Sequence, residues 1–214
     1  KSKELYLGKY EIQEITAPHG MVLNGTIQTV ELTYAGQELS VTETADNLYN
    51  ERQKVKVSLS KVLEQNDLFG IGMNGELKNI TFGLYAKTDL VAGDGTVIPA
   101  GGLIEIVTFD DNGMATVSTD LPLGSYYLQE RSTDEHYILD DTHYEFEFSY
   151  GSQETQVIEI SVNGGDPIKN DLKYGMVSGR KVDEDGHVIA GAIFGLFRND
   201  ENEYTAENAY LTAE

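Results

Sequence analysis

The chain has no cysteine. Disulfides, thiolate catalysis and cysteine-ligated metal sites are therefore excluded. Cations are scarce: 15 Lys and Arg stand against 36 Asp and Glu, a net charge of −21. Such a chain repels nucleic acid and anionic membranes, and its acidic exterior favours solubility. No apolar run approaches the roughly 20 residues that a membrane-spanning helix needs. Neither a nucleic-acid partner nor membrane insertion is expected of this piece. No signal-peptide pattern opens the chain. Its first residues already read as a strand, so a segment of a longer protein is expected. Long amphipathic helices are missing as well. The four histidines, His19, His136, His143 and His187, are scattered without metal-ligand spacing. There is no Ser/His/Asp signature and no phosphate-cradling glycine loop. No metal, cofactor or enzymatic turnover of an external substrate is expected.

What is present is β-forming sequence: Tyr, Val, Thr and Ile in short alternating runs, with frequent Gly. Three internal similarities organise it. Leu5-Tyr6-Leu7-Gly8-Lys9-Tyr10-Glu11-Ile12-Gln13-Glu14 matches Leu121-Pro122-Leu123-Gly124-Ser125-Tyr126-Tyr127-Leu128-Gln129-Glu130. Val57 to Val62 matches Val177 to Val182, which pairs Lys61 with Lys181. Ile80-Thr81-Phe82-Gly83-Leu84-Tyr85 matches Ala192-Ile193-Phe194-Gly195-Leu196-Phe197. A weaker match pairs Asn50 with Asn170. Asn50 and Lys61 are 11 positions apart, as are Asn170 and Lys181. The repeat order is a Lys strand, a Phe-Gly-Leu strand, a Glu strand and an Asn strand. Residues 1–54 then read as the second half of one repeat, 55–173 as a complete repeat, and 174–214 as the first half of another, abutting end to end.

Within 55–173, strands are expected at 55–64, 80–86, 103–109, 114–119, 125–131, 143–150, 155–162 and 168–174. The Asp110-Asp111-Asn112-Gly113 run reads as a hairpin turn between the third and fourth. That density of short strands predicts an all-β sandwich. Asp110 to Gly113 and Asp183-Glu184-Asp185-Gly186 lack a full calcium register and read as turns.

Side-chain phase singles out three polar residues. Lys61 shares the face of Val55, Val57 and Leu59. Glu130 shares that of Tyr126 and Leu128. Asn170 shares that of Ile168 and Leu172. Each therefore points at the core, where an unpaired charge is costly. Burial favours the neutral forms of amine and acid alike. A neutral amine is a nucleophile, and a protonated acid could polarise a carboxamide carbonyl and shuttle protons. The expected product is an amide between the Lys and Asn side chains, with ammonia released and proximity as the main driver. The other reading of the trio is a buried hydrogen-bonded network. Glu14, Asn50 and Lys181 repeat the pattern in the flanking segments.

These residues resemble the Cna B-type, SpaA-like repeats of Gram-positive surface adhesins and pilins. The resemblance rests on Lys61, on the Leu121-Pro122-x-Gly124-x-Tyr126-x-Leu128-x-Glu130 strand and on Asn170. It also rests on Lys181-Val182-Asp183-Glu184-Asp185-Gly186 and on Glu14-Ile15-Thr16-Ala17-Pro18-His19-Gly20. It implies tandem immunoglobulin-like, prealbumin-like sandwiches at the surface of a Gram-positive cell wall. It also implies a Lys61–Asn170 isopeptide bond promoted by Glu130, with the same roles for Glu14, Asn50 and Lys181. The pattern departs after Lys61, where Val62-Leu63-Glu64-Gln65-Asn66 replaces an acidic-Gly turn, and the chain holds no Leu-Pro-x-Thr-Gly run. The expected function is a mechanical stalk whose partners are neighbouring repeats, with head-to-tail pairing of the terminal half-repeats as a further expectation. The alternative is an adhesive module that binds a host protein or glycan through the 67–79 and 88–102 loops.

Overall fold

A computed structural model describes residues 2–37, 45 and 47–213. The 1–54 segment thus includes positions 1, 38–44 and 46, which lie outside the described residues. The chain forms two compact units, Lys1–Lys173 and Tyr174–Glu214.

The first unit holds β1 (Gly8–Ile12), β2 (Gln28–Leu32), β3 (Lys54–Leu63), β4 (Thr81–Ala86), β5 (Leu90–Val91) and β6 (Val97–Ile98). It continues with β7 (Leu103–Thr108), β8 (Met114–Thr116), β9 (Gly124–Ser132), β10 (Tyr144–Phe148), β11 (Val157–Ser161) and β12 (Ile168–Asn170). Two four-stranded sheets make the sandwich. One runs β10-β9-β4-β7 and is antiparallel throughout. In the other, β3 pairs in parallel with β11 and then β12, and antiparallel with β8. The expected all-β sandwich class is thus the one observed.

The core follows from alternation. Val57 and Leu59 of β3 face Phe82 and Leu84 of β4, Tyr126 and Leu128 of β9, and Ile168 of β12 in one buried cluster. Burying each such side chain stabilises the fold by about 1.5–3 kcal/mol. The same alternation carries Lys61, Glu130 and Asn170 inward: each is among the few buried polar residues, at 1%, 3% and 1% exposure.

The Asp110–Gly113 turn forms, but its flanking strands do not make the expected hairpin. β7 joins β4 in one sheet and β8 joins β3 in the other. The exposed edge of β3 needs hydrogen-bond partners on that side, and the turn carries the chain across to supply them. Asp110 Oδ1 accepts from the amides of Asn112 and Met114, at 2.9 and 2.8 Å, and Gly113 O accepts from Lys61 N at 2.8 Å. Gly113 has φ +74°, and a Cβ there would collide with the Lys61 carbonyl. Gly113→Ala is therefore expected to cost about 2–3 kcal/mol in denaturant unfolding. An alanine at the open, negative-φ Gly93 of the 88–102 loop is the matched control.

β12 ends earlier than the alternation predicts. Beyond Asn170 the chain pairs instead with the 134–138 loop, through Ile138 N to Asp171 O (3.0 Å) and Lys173 N to His136 O (2.7 Å). At the other end, β1 and β2 form an antiparallel ribbon. The 17–24 loop after β1 meets the 150–156 turn. Ala17 N donates to Gln153 Oε1 at 2.9 Å, Leu23 N to Gln153 O at 2.8 Å, and the His19 and Tyr150 rings lie 4.6 Å apart. Buried Gln53 secures the joint, donating to the carbonyls of Ser152 and Thr155 and accepting from Gly151 N.

The second unit is small. β13 (Phe194–Leu196) pairs antiparallel with β14 (Leu211–Ala213). A bridge between Val182 and Val188 closes the Asp183–His187 turn. The expected Lys181 strand is not formed, and Lys181 is exposed. In the first unit the corresponding strand lies between β8 on one side and β11 and β12 on the other. Without such neighbours its backbone groups gain nothing from extending.

Candidate cross-linking site

Three strands converge on one buried point. β3 contributes Lys61, β9 contributes Glu130 and β12 contributes Asn170. Because β12 lies parallel to β3 in the register Ile168↔Lys61, Asn170 sits one step further along the same face. Lys61 Nζ donates to Asn170 Oδ1 and lies 3.3 Å from Glu130 Oε1, with both charged side chains fully sheltered from solvent. The Phe82 ring floors the amine, its centroid 5.4 Å from Nζ.

On the far side, Asn170 Nδ2 donates to Glu130 Oε1 and Oε2 at 3.1 and 2.9 Å, and lies 2.9 Å from Thr133 Oγ1 and 3.0 Å from Ile138 O. The Ile138 carbonyl can only accept, which keeps the amide nitrogen on this side and turns Oδ1 toward the amine. The β9–β10 loop also holds Glu130: Asp140 N donates to Glu130 Oε2 at 2.7 Å. Asp140 is itself oriented by Tyr144 Oη at 2.5 Å and Thr142 N at 3.0 Å.

Burial pushes the Lys61 amine below its ordinary pKa of 10.5, against the opposing pull of Glu130. Burial also raises Asp140, but hydrogen bonds from Thr142 and Tyr144, with the nearby Lys61 charge, hold its carboxyl below the usual range.

This geometry differs from the expected one in a single respect. A hydrogen bond from a protonated Glu130 to the Asn170 carbonyl is not the contact observed. The carboxylate instead spans Lys61 Nζ and Asn170 Nδ2, the atoms that would lose and gain a proton. The amide nitrogen carries two hydrogens yet has four acceptor atoms around it, a surrounding better matched to a nitrogen that gains a hydrogen as it leaves.

Thr133, Ile138, Asp140 and Phe82 were not singled out from sequence. Three sit in or beside the irregular β9–β10 loop, where no periodicity reports orientation. Phe82 marks the repeated Phe-Gly-Leu strand in the sequence, but nothing there places it beside Lys61.

The flanking residues are placed unequally. Asn50 Nδ2 donates to Glu14 Oε2 at 2.6 Å and to Val22 O at 3.0 Å, and Asn24 N donates to Glu14 Oε2 at 2.7 Å. These contacts match three of those around Glu130 and Asn170: Val22 and Ile138 each lie eight residues after the glutamate, and Asn24 and Asp140 each lie ten after it, whereas Ala17 stands where Thr133 does. Tyr10 Oη donates to Tyr6 O at 2.6 Å as Tyr126 Oη donates to Pro122 O at 2.5 Å. Among the described residues, no amine lies against the Glu14–Asn50 pair. Among the described residues of the second unit, Lys181 has no such Glu–Asn pair beside it.

Residues 71–164 match the SpaA prealbumin-like fold domain. This SpaA-like span includes Glu130, whereas Lys61 and Asn170 lie to either side of it and are brought to Glu130 by the sandwich. No curated protein matches the chain. Among solved structures, the chain is similar to the Bacillus anthracis TIE protein at 20% identity, covering 87% of this chain and 32% of that one, with a TM-score of 0.48. It is similar to BcpA, the major pilin subunit of Bacillus cereus, at 21% identity over 55% of this chain and 29% of that one, TM-score 0.30. A streptococcal ancillary pilin is similar at 21% identity over 98% of this chain and 60% of that one, TM-score 0.35. The chain therefore spans less than two thirds of each.

Proposed function

We propose that this chain is a structural shaft segment of a Gram-positive surface pilin or adhesin, with its middle domain stabilised by a self-formed Lys61–Asn170 amide. The observation that carries this reading is the fully buried Lys61–Glu130–Asn170 cluster joining the first and last strands of one sandwich. In the reaction the Lys61 nitrogen attacks Asn170 Cγ, the Cγ–Nδ2 bond breaks, and Glu130 transfers a proton from the amine to the departing nitrogen, which leaves as ammonia. Pre-positioning of amine and carboxamide in a dry site supplies the rate; no cofactor takes part.

Placement explains the purpose. Tension entering at Lys54 would pass along β3 to Lys61, across the amide to Asn170, and out beyond Lys173. The residues between positions 61 and 170 would be shielded from load. In a chain without cysteine, this link has the role of a disulfide. Residues 1–54, 55–173 and 174–214 are then successive repeats or parts of repeats, extracellular and attached to one another in series. The SpaA prealbumin-like match over residues 71–164 supports that setting.

Intact mass with peptide mapping tests the reading. The purified chain should be lighter than its formula by one ammonia, and a branched peptide should join Lys61 to Asn170. An unshifted mass would leave the sandwich standing with a polar core network and no clamp. The adhesive alternative draws on Leu68, Phe69 and Met73, all exposed on the 67–79 loop. Loop-exchanged variants that keep stability but lose binding to host matrix would favour it.

A further inference from the structure

We infer that Tyr137 and Glu64 form a latch that holds the β9–β10 loop shut over the Lys61–Glu130–Asn170 cluster and positions the Asn170 carboxamide from outside it. This deepens the reading above and rests on it for the chemistry of the site, whereas the latch itself stands on separate contacts. Connecting segments ordinarily run over the surface. Tyr137, inside this one, is instead 0% exposed. Tyr137 and Leu172 are both buried, yet neither belongs to the main core cluster. Something other than the sandwich core therefore draws the loop in.

The end of β3 draws it in. Tyr137 Oη donates to the Glu64 carbonyl at 2.9 Å, which gives the buried hydroxyl the partner it needs. Burial, together with the nearby Glu76, Asp134 and Glu64 carboxylates, holds that hydroxyl above its ordinary pKa of 10.0, so it stays a donor. Glu64 also grips the Asn170 segment twice. Its amide donates to Asn170 O at 3.0 Å, and its carboxylate accepts from Leu172 N at 2.9 Å. Loop and segment then close on each other through the Tyr137–Leu172 bridge and through Ile138 N to Asp171 O.

The consequence for the site is one of register. Ile138 follows Tyr137 directly, and its carbonyl is the acceptor that keeps the Asn170 amide nitrogen turned from the amine. Two residues further on, Asp140 N holds Glu130. Glu64 lies three positions after Lys61, so the same latch ties the lysine's strand to the asparagine's. The fit is close. Gly72 crosses the latch at φ +86°, and a Cβ there would come within 2.8 Å of Tyr137 Oη and 2.9 Å of Glu64 O.

Hydrogen exchange followed by NMR tests the latch on the full chain carrying Lys61→Met, where no Lys61–Asn170 amide can fix Asn170 in its place. Tyr137→Phe removes one hydroxyl and keeps the ring; Glu64→Ala removes the acceptor for Leu172 N. Each should speed exchange at the Ile138 and Asp140 amides and at the Asn170 side-chain amide by about three- to tenfold. The amides of β4 and β9 should exchange as before. Glu64→Gln keeps an acceptor oxygen and should restore the protection. Unchanged exchange in Tyr137→Phe and Glu64→Ala overturns the inference, and so does a rise spread evenly over the sandwich, which reports lost stability alone. With Lys61 restored, Tyr137→Phe should slow appearance of the Lys61–Asn170 peptide by a like factor; formation at the parental rate overturns the positioning role. If the peptide is missing from the parent chain while the exchange pattern holds, the amide reading fails and the latch stands.

Discussion

Lys61→Met is expected to restore the full formula mass at the middle site and to lower the melting temperature by on the order of 15 °C. The proposed amide closes a loop of 109 positions between Lys61 and Asn170. Restricting an unfolded loop of that size stabilises by about 4–5 kcal/mol in the chain-entropy account, and a domain of this length loses a few degrees for each kcal/mol. Methionine keeps the length and apolar stem of the side chain while removing the amine and its buried charge. Glu130 keeps its hydrogen bonds from Asp140 N and Asn170 Nδ2, so the loss reports the link more directly than truncating Glu130, which would leave the Lys61 amine buried without its counter-ion. Differential scanning calorimetry checks the size of the shift, and mass spectrometry of the same sample checks its cause. A variant that melts with the parent, at equal mass deficit, would remove the clamp from the account of this protein.

Glu130→Gln is expected to slow linkage by about 10²–10⁴-fold while leaving the fold in place, because the carboxylate is the group that touches both the attacking and the leaving nitrogen. Chain made by cell-free synthesis and folded at a series of pH values gives the rates, followed by loss of ammonia from the intact mass. For the parent chain the sign of the pH dependence is set by burial, which holds the Lys61 amine below 10.5. Above the lowered value the amine is neutral and attacks; as the pH falls through it, the amine protonates, its lone pair is lost, and linkage slows. The Gln variant should be slow across the whole range, since it cannot accept the proton at any pH. Linkage at the parental rate in Glu130→Gln would mean that proximity alone drives the reaction.

Side-chain phase made much of the site legible. Along β3, Val57 and Leu59 lead to Lys61 at a period of two, and along β9, Tyr126 and Leu128 lead to Glu130 in the same way; the structure buries all six. A strand's own alternation decides which face a residue takes, so neighbours in sequence suffice to read it. The Asp110–Gly113 turn was legible as a turn for a similar reason: an Asp at its start and a Gly at positive φ are local requirements. Which strands that turn joined was not legible, because the partners of β7 and β8 are chosen by open edges of distant strands. The Lys181 segment has the residues of a strand, yet among the described residues it makes only the short Val182–Val188 bridge.

By itself, then, the sequence determined the residue types, the faces they occupy and the absence of thiol chemistry. All of these follow from composition and from contacts between near neighbours along the chain. The tertiary structure alone decided that β12 lies parallel to β3, that the β9–β10 loop folds over Asn170 with Thr133 and Ile138, and that Glu130 faces the two nitrogens rather than the carbonyl oxygen. Those choices depend on packing between segments from 32 to 109 positions apart, and no periodicity within a strand carries that information.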